Sequence, residues 1–269
     1  MKGILTDVTR CIGCQKCVDA CTRENRLGDN VPHRWRAADG LSSQRFTSVV
    51  RMEKLFVRKQ CRHCLEPACV SACPVGALRR TPEGAVVYDK GRCLGCRYCM
   101  MACPFGIPRY TWASAVPYVG KCTLCFQTRV SQGRQPACTE VCPEKATIFG
   151  ERDALLDEAR QRMADAPGRY LQEIIGEREV GGTAVLYLSP VPLNGLSLGN
   201  RLDDHPLPGR TLTAMAAVPP AFVGMGVIMG GVYWIIERRM RLECEAVDRE
   251  RDGREPADKK ARSSDDTTD

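Results

Sequence analysis

One stretch restricts this chain more than any other: Cys93-Leu94-Gly95-Cys96-Arg97-Tyr98-Cys99-Met100-Met101-Ala102-Cys103-Pro104. Its spacing is C-x₂-C-x₂-C-x₃-C-P, which fits an iron–sulfur cube. Three thiolates on a tight loop wrap one corner of such a cube. Gly95 lets the backbone turn sharply and approach closely. The fourth cysteine points away and is free to serve a second cluster. Pro104 takes the chain out of the site and carries no backbone donor.

The run is that of bacterial ferredoxins, and three variations on it occur elsewhere. Cys11, Cys14, Cys17 and Cys21 keep the spacing without the proline. Cys61, Cys64, Cys69 and Cys73 widen the second gap, with Pro74 following. Cys122, Cys125, Cys138 and Cys142 widen it further, with Pro143 following. All of the 17 cysteines but Cys244 fall in these runs. An internal repeat of this kind sets the architecture before any helix or strand is assigned. Four runs of four supply the ligands of four [4Fe–4S] clusters. Disulfide scaffolds are the first competitor, but they belong to short secreted chains, and this one has 269 residues with no secretory signal before its first run. Zinc ribbons use CxxC pairs but need neither the third cysteine nor the recurrent Cys-Pro. No CxxC is followed by His, so the haem-attachment signature is absent.

Aromatic residues make up 6% of the chain, so a small apolar core is expected to depend on the clusters for folding. The net charge of +7 matches what a protein holding several anionic clusters requires, and no nucleic-acid motif accompanies it. Lys16, Arg62, Arg92, Arg97 and Lys121 lie beside cluster cysteines, where local charge tunes reduction potentials.

Along the chain, residues 1–10 read as a short strand leading to the first run. Residues 22–44 read as loop, broken by Gly28, Asp29, Asn30, Pro32 and Gly40. Phe46–Val50 and Leu55–Val57 form a hairpin pattern, and Ala85–Tyr88 a strand after the Pro82-Glu83-Gly84 turn. The gap between Cys125 and Cys138 is expected to loop out at the surface. Arg152–Ala166 predicts an amphipathic helix with Leu155, Leu156, Ala159 and Met163 on one face, stopped by Pro167 and Gly168. Ala184–Leu188 reads as a buried strand, and residues 189–210 as loop.

Thr211–Ile236 then carries no formal charge. As a helix it reaches roughly 39 Å, longer than a ~30 Å hydrocarbon core requires. Pro219 and Pro220 are expected to kink it near its start, Gly226 and Gly230 make a GxxxG, and Tyr233 and Trp234 suit an interfacial belt. The organisation expected is a cluster domain over 1–205, a linker over 206–210, a membrane span over 211–236 and a charged tail over 237–269. Arg238, Arg239, Arg241, Arg249 and Arg251 follow the span, against Arg201 and Arg210 before it. Positive-inside places the C-terminus in the cytoplasm and the cluster domain in the periplasm, anchored to a bacterial inner membrane by one pass. With no export signal legible at the start of the chain, crossing in the folded state with a partner carrying a twin-arginine signal is expected. Cys244, in the tail, reads as a reduced thiol and not a ligand.

The four-run order resembles the electron-transfer subunits of respiratory molybdenum and nickel–iron enzymes. Segments 59–78, 88–110, 121–125, 136–150 and 181–188 look like the β subunit of membrane-bound formate dehydrogenase and the iron–sulfur subunit of hydrogenase-2-type enzymes. The resemblance extends over about residues 5–236. It implies an α+β fold of two ferredoxin-like modules related by a pseudo-twofold, with a single C-terminal transmembrane helix. It also implies cysteines exchanged between runs. One cluster would use Cys11, Cys14, Cys17 and Cys142, and its neighbour Cys122, Cys125, Cys138 and Cys21. A third would use Cys61, Cys64, Cys69 and Cys103, and a fourth Cys93, Cys96, Cys99 and Cys73. The partners implied are a large catalytic subunit, molybdopterin or nickel–iron, and a membrane cytochrome b or quinone-handling subunit. Hydrogenase-2-type subunits often carry their own export signal, which points here to the formate dehydrogenase arrangement; segment 59–110 looks at least as hydrogenase-like.

The chain is therefore expected to relay electrons without a substrate reaction of its own. No nucleophile–base constellation, GxGxxG after a strand or P-loop is present. An autonomous reductase needs an iron with a free coordination site, which a full set of cysteines does not leave. A purely structural or sensing role fits poorly with regular repeats beside a membrane anchor. His33, His63 and His205 are scattered, and His63, between Cys61 and Cys64, is expected to face solvent, with a hydrogen-bond donor at a cluster as the alternative.

Overall fold

β1 (Lys2–Asp7) is the strand around which the cluster region is built: Ile4, Leu5, Thr6 and Asp7 are all buried. The computed structural model describes residues 1–28, 39–112, 114, 117–193 and 202–252. The turn residues Asp29, Asn30 and Pro32, together with His33, Arg201 and the end of the charged tail, lie outside them. After β1 come α1 (Lys16–Glu24), β2 (Thr47–Met52), β3 (Leu55–Gln60), α2 (Ala68–Ser71), β4 (Leu78–Arg80) and β5 (Val86–Tyr88). Then follow α3 (Tyr98–Ala102), β6 (Arg109–Tyr110), β7 (Val119–Gly120), α4 (Ala137–Glu140), β8 (Thr147–Glu151), α5 (Arg152–Asp165), β9 (Val185–Leu188) and α6 (Leu207–Asp252).

β1 is the centre of a three-stranded sheet, antiparallel to β8 and parallel to β9. The period of two along a strand sorts its side chains between two cores. Ile4 aligns with Val185 and packs with Val8, Val57, Leu124 and Tyr187 on one face. Leu5 aligns with Leu186 and packs on the other face with Leu188 and with Leu155, Leu156 and Ala159 of α5. The apolar face expected for Arg152–Ala166 is thus the face that covers the sheet, with Met163 at its margin. Three hairpins complete the cluster region: β2–β3, β4–β5 and β6–β7. In the gap between Cys125 and Cys138, Ser131–Gln135 are exposed, while Val130 turns inward.

The chain divides into two compact units, Met1–Thr211 and Leu212–Asp269. α6 is long and apolar enough to cross a membrane. It departs from expectation at both ends. It begins at Leu207, inside the expected linker, and runs through Asp252 into the stretch expected as a tail, for 46 residues in all. Pairs at i,i+4 explain the extension: Arg241 with Glu237 at 2.5 Å, Arg239 with Glu243 at 2.9 Å and Arg249 with Glu245 at 3.9 Å. Such ladders support an exposed helix whose composition otherwise resembles a tail. Pro219 and Pro220 lie within the helix, where they remove two donors from the hydrogen-bond ladder. Its large apolar side chains, including Leu212, Phe222, Val227 and Ile236, are exposed along the span, a surface that water does not favour.

Candidate functional site

The four cysteine runs take two local conformations, each used twice. In the first, an aspartate caps a single 3₁₀ turn that delivers the first cysteine. Asp7 accepts from Thr9 N ahead of Cys11, and Asp89 accepts from Gly91 N ahead of Cys93. The loop then enters the left-handed region at Gly13 (φ 71°) and Gly95 (φ 72°), and again at Gln15 and Arg97 just before a helix. The two glycines also sit against neighbours. A Cβ on Gly13 would lie 2.5 Å from the Phe56 ring, and one on Gly95 2.6 Å from Tyr110 Oη. In the second conformation, the residue before the second cysteine has positive φ (His63, 49°; Leu124, 60°). A proline, Pro67 or Pro136, then starts a four-residue helix holding the third cysteine, Cys69 or Cys138.

These loops bring the cysteines together in fours. Cys11, Cys14, Cys17 and Cys142 line one cavity of about 400 Å³. Cys21, Cys122, Cys125 and Cys138 line a second of about 330 Å³. Cys73, Cys93, Cys96 and Cys99 line another of about 330 Å³. Cys61, Cys64, Cys69 and Cys103 form the remaining group: burial pushes the Cys64 thiol well up, and Cys61, Cys103 and Cys69 around it push it further. We refer to quartets I (with Cys11), II (with Cys122), III (with Cys61) and IV (with Cys93). Each draws three cysteines from one run and one from another. All four cysteines of quartet II are buried, whereas Cys14 of quartet I and Cys96 of quartet IV are exposed. None of the cysteines is in a disulfide, and Cys244 is exposed on α6.

The electrostatics of the quartets follow from burial. Desolvation is the largest cause in raising Cys17 to about 11, Cys69 to about 12 and Cys99 to about 11, with neighbouring cysteines adding to it. A thiol held that high stays protonated, so metal has to displace the proton and supply the charge that the pocket lacks. Donors wait at the sulfurs. Ala77 N lies 3.2 Å from Cys73 Sγ, and Gly95 N and Leu124 N lie 3.4 Å from Cys93 and Cys122 Sγ. Buried cations complete the setting. Arg58 Nη2 is 3.1 Å from Cys138 Sγ, and Lys121 Nζ is 4.0 Å from Cys61 Sγ. Four soft donors per cavity, N–H groups aimed at sulfur and buried positive charge together fit an iron–sulfur cluster.

Of the basic residues singled out in the sequence, Arg62 and Lys121 are buried, and Lys16, Arg92 and Arg97 are exposed. Arg62 lies between the rings of Phe105 (5.0 Å) and Tyr187 (4.4 Å). Arg97 covers Tyr110 and Trp112. Sequence reasoning missed Arg58. Nothing in the string Val57-Arg58-Lys59-Gln60 marks a strand end whose polar residues are all buried, because the apolar–polar alternation breaks there. His63 is a correction. The solvent-facing position expected for it is overturned: the ring is 0% exposed, and Nδ1 accepts from Val86 N at 2.9 Å. Burial, and then the charge of Lys121, hold this imidazole neutral. The left-handed backbone that the cysteine loop imposes at His63 turns its side chain inward, next to β5.

A family model described as a 4Fe-4S dicluster domain matches residues 52–152. A protein of Nitratidesulfovibrio vulgaris is 40% identical over 255 residues, covering 90% of this chain and 69% of its own. The hydrogenase-2 operon protein HybA of Shigella flexneri is 39% identical over 245 residues, covering 75% of this chain and 74% of its own. The nitrate-inducible formate dehydrogenase iron–sulfur subunit of the same organism is 38% identical over 218 residues, covering 74% and 73%.

Proposed function

This chain belongs to the family of iron–sulfur subunits that includes those of formate dehydrogenases and the hydrogenase-2 operon protein HybA, and on that premise we propose that it is the electron-relay subunit of a membrane-bound oxidoreductase complex. It carries four [4Fe–4S] clusters, one per quartet. Cys11, Cys14, Cys17 and Cys142 hold the first; Cys122, Cys125, Cys138 and Cys21 the second. Cys61, Cys64, Cys69 and Cys103 hold the third; Cys93, Cys96, Cys99 and Cys73 the fourth. When bound, the clusters supply one-electron carriers, which the side chains alone do not. The protein's share is to fix sulfur positions, exclude water from the middle of the file and set the local charge. The two recurring loop conformations fit two ferredoxin-like modules related by a pseudo-twofold.

The observation that carries this reading is that the quartets are neighbours in single file. Quartets I and II meet at Arg58, whose charge is opposed by burial and favoured by Cys138 and Cys17. Cys61 of quartet III lies in one buried core cluster with Cys122 of quartet II. Cys69 of quartet III lies in another with Cys99 of quartet IV. A file with exposed sulfur at both ends and buried sulfur between suits passage between two partners. One is a catalytic subunit, a formate dehydrogenase-type molybdoenzyme. The other is a membrane cytochrome b or quinone-handling subunit packed against α6. The arginines after Ile236 favour a periplasmic cluster domain and a cytoplasmic C-terminus.

Anaerobic purification in mild detergent, with mass spectrometry of the copurifying chains, tests the assignment. A large molybdopterin subunit is the expected result. A nickel–iron large subunit would move the same relay into a hydrogenase, in line with the likeness to HybA. A chain that emerges alone with intact clusters would refute the subunit reading.

A further inference from the structure

Arg58 is fully enclosed, with 1% of its surface exposed, at a point where β3 passes between two cysteine quartets. It lines the cavity of quartet I together with Cys11, Cys14, Cys17 and Cys142. Its Nη2 also reaches Cys138 Sγ of quartet II at 3.1 Å. Its remaining contacts fix it there and bring no countercharge. Nε donates to Thr47 Oγ1 at 3.3 Å, Nη2 donates to Gln60 Oε1, and the Arg58 carbonyl accepts from Tyr187 Oη at 2.8 Å. The ion pairs among the described residues include no carboxylate on Arg58. A buried guanidinium without an acidic partner is expensive to hold unless the negative charge facing it is supplied by something else. Here the groups facing it are the sulfurs of two quartets at once, whose negative charge bound clusters would supply.

We propose that Arg58 is a shared potential-setting residue: one fixed cation, wedged between quartets I and II, that raises the reduction potentials of both clusters. Adding an electron adds negative charge, and a cation at hydrogen-bond distance in a water-poor interior favours that state. Arginine suits the task because it stays charged even when buried. Quartets III and IV have different settings. Lys121 sits at Cys61, bound to the carbonyls of Val86 and Cys122, and Arg97 near quartet IV is exposed. This inference rests on the four-cluster relay reading above.

The test is an EPR-monitored redox titration of the detergent-purified complex, with iron counted in each sample. Cys64→Ser and Cys99→Ser variants tag the signals of quartets III and IV, leaving those of I and II identified by difference. Arg58→Gln is expected to lower the potentials of I and II, each by at least a tenfold change in the reduction equilibrium, about 59 mV for a one-electron step. III and IV are expected to hold, and Arg58→Lys to restore most of the shift. Gln60→Glu is the second variant, for the case in which Arg58→Gln does not load iron. It leaves the arginine in place and sets a carboxylate against Nη2, and it is expected to lower the same two potentials. An equal shift in all four signals, or none in I and II at full iron content, overturns the inference and leaves the relay intact. A wild-type protein that binds no cluster iron overturns the relay reading and this inference with it.

Discussion

Gly95→Ala tests the link between loop geometry and cluster retention. Gly95 has φ 72°, and a Cβ there would lie 2.6 Å from Tyr110 Oη, which donates to the Gly95 carbonyl at 2.9 Å. The left-handed backbone costs an alanine about 1–2 kcal/mol. Moving Tyr110 aside loses a hydrogen bond worth about 1 kcal/mol. The loop of quartet IV should therefore open about 2–3 kcal/mol more easily, a roughly 30- to 150-fold larger open population. The assay is anaerobic iron release to a chelator, followed with the quartet IV EPR signal. One cluster's worth of iron is expected to leave early, with the rest at the wild-type rate. Tyr110→Phe alone should cost about 1 kcal/mol, and the double variant should cost no more than Gly95→Ala, because the two share the lost hydrogen bond. Wild-type iron retention in Gly95→Ala, or fully additive costs in the double variant, would refute the reasoning.

Leu186→Ala removes a fully buried side chain from the core between the sheet and α5. It should cost about 2–5 kcal/mol and lower the melting temperature of the cluster domain by about 4–20 °C in thermal denaturation. Asp39 pairs with Lys59 at 2.7 Å and Arg109 at 2.8 Å. Burial pushes its carboxyl up, but Lys59, the Leu41 N–H and Arg109 outweigh burial and hold it below the ordinary value. A depressed carboxyl contributes stability above its unfolded pKa of about 3.9, lost only as pH falls through the folded value. Asp39→Asn should cost about 3 kcal/mol, because Lys59 is left buried without its partner, and the gap to wild type should be flat from pH 5 to 8. A gap that slopes across that window would count against the assignment. For α6, a cysteine-reactive, membrane-impermeant reagent applied to right-side-out vesicles should leave Cys244 unlabelled and label it only after lysis. Labelling before lysis would reverse the proposed orientation.

The cysteine runs made the sites legible in the sequence because their spacing is a direct demand of the cluster. The hairpin over Phe46–Val50 and Leu55–Val57 and the helix at Arg152–Asp165 were legible for a different reason: the first carries two β-rich patches before a cluster run, and the second an apolar face that ends at a breaker. The sheet was not, because β1 pairs with β8 and β9, more than a hundred residues away, and no local pattern encodes such a partner. The charged helix Glu237–Asp252 read as tail because the same residues serve either state, and only their i,i+4 placement favours the helix. His63 and Arg58 were hidden for one physical reason. Composition scales place histidine and arginine toward water, whereas here a strained loop and a cation-demanding interior turn them inward.

The paired loop conformations also account for why each quartet takes its fourth cysteine from another run. In the Cys93 run, the turn capped by Asp89 and the left-handed Gly95 and Arg97 curl three sulfurs around one cavity, and α3 carries Cys103 beyond it. Cys103 then packs with Cys61 and Cys64, while Cys73 returns from α2 to line the Cys93 cavity. The α2–α3 contact holds the two runs side by side, and under the proposed assignment neither cluster forms on one run alone. Cys73→Ser and Cys99→Ser should therefore disturb the same EPR signal, although 25 residues separate them in the chain, and Cys103→Ser should disturb the signal that Cys64→Ser disturbs. If Cys73→Ser instead matched Cys64→Ser, each run would hold its own cluster. The packing of α2 on α3 would then have to be explained without the exchange.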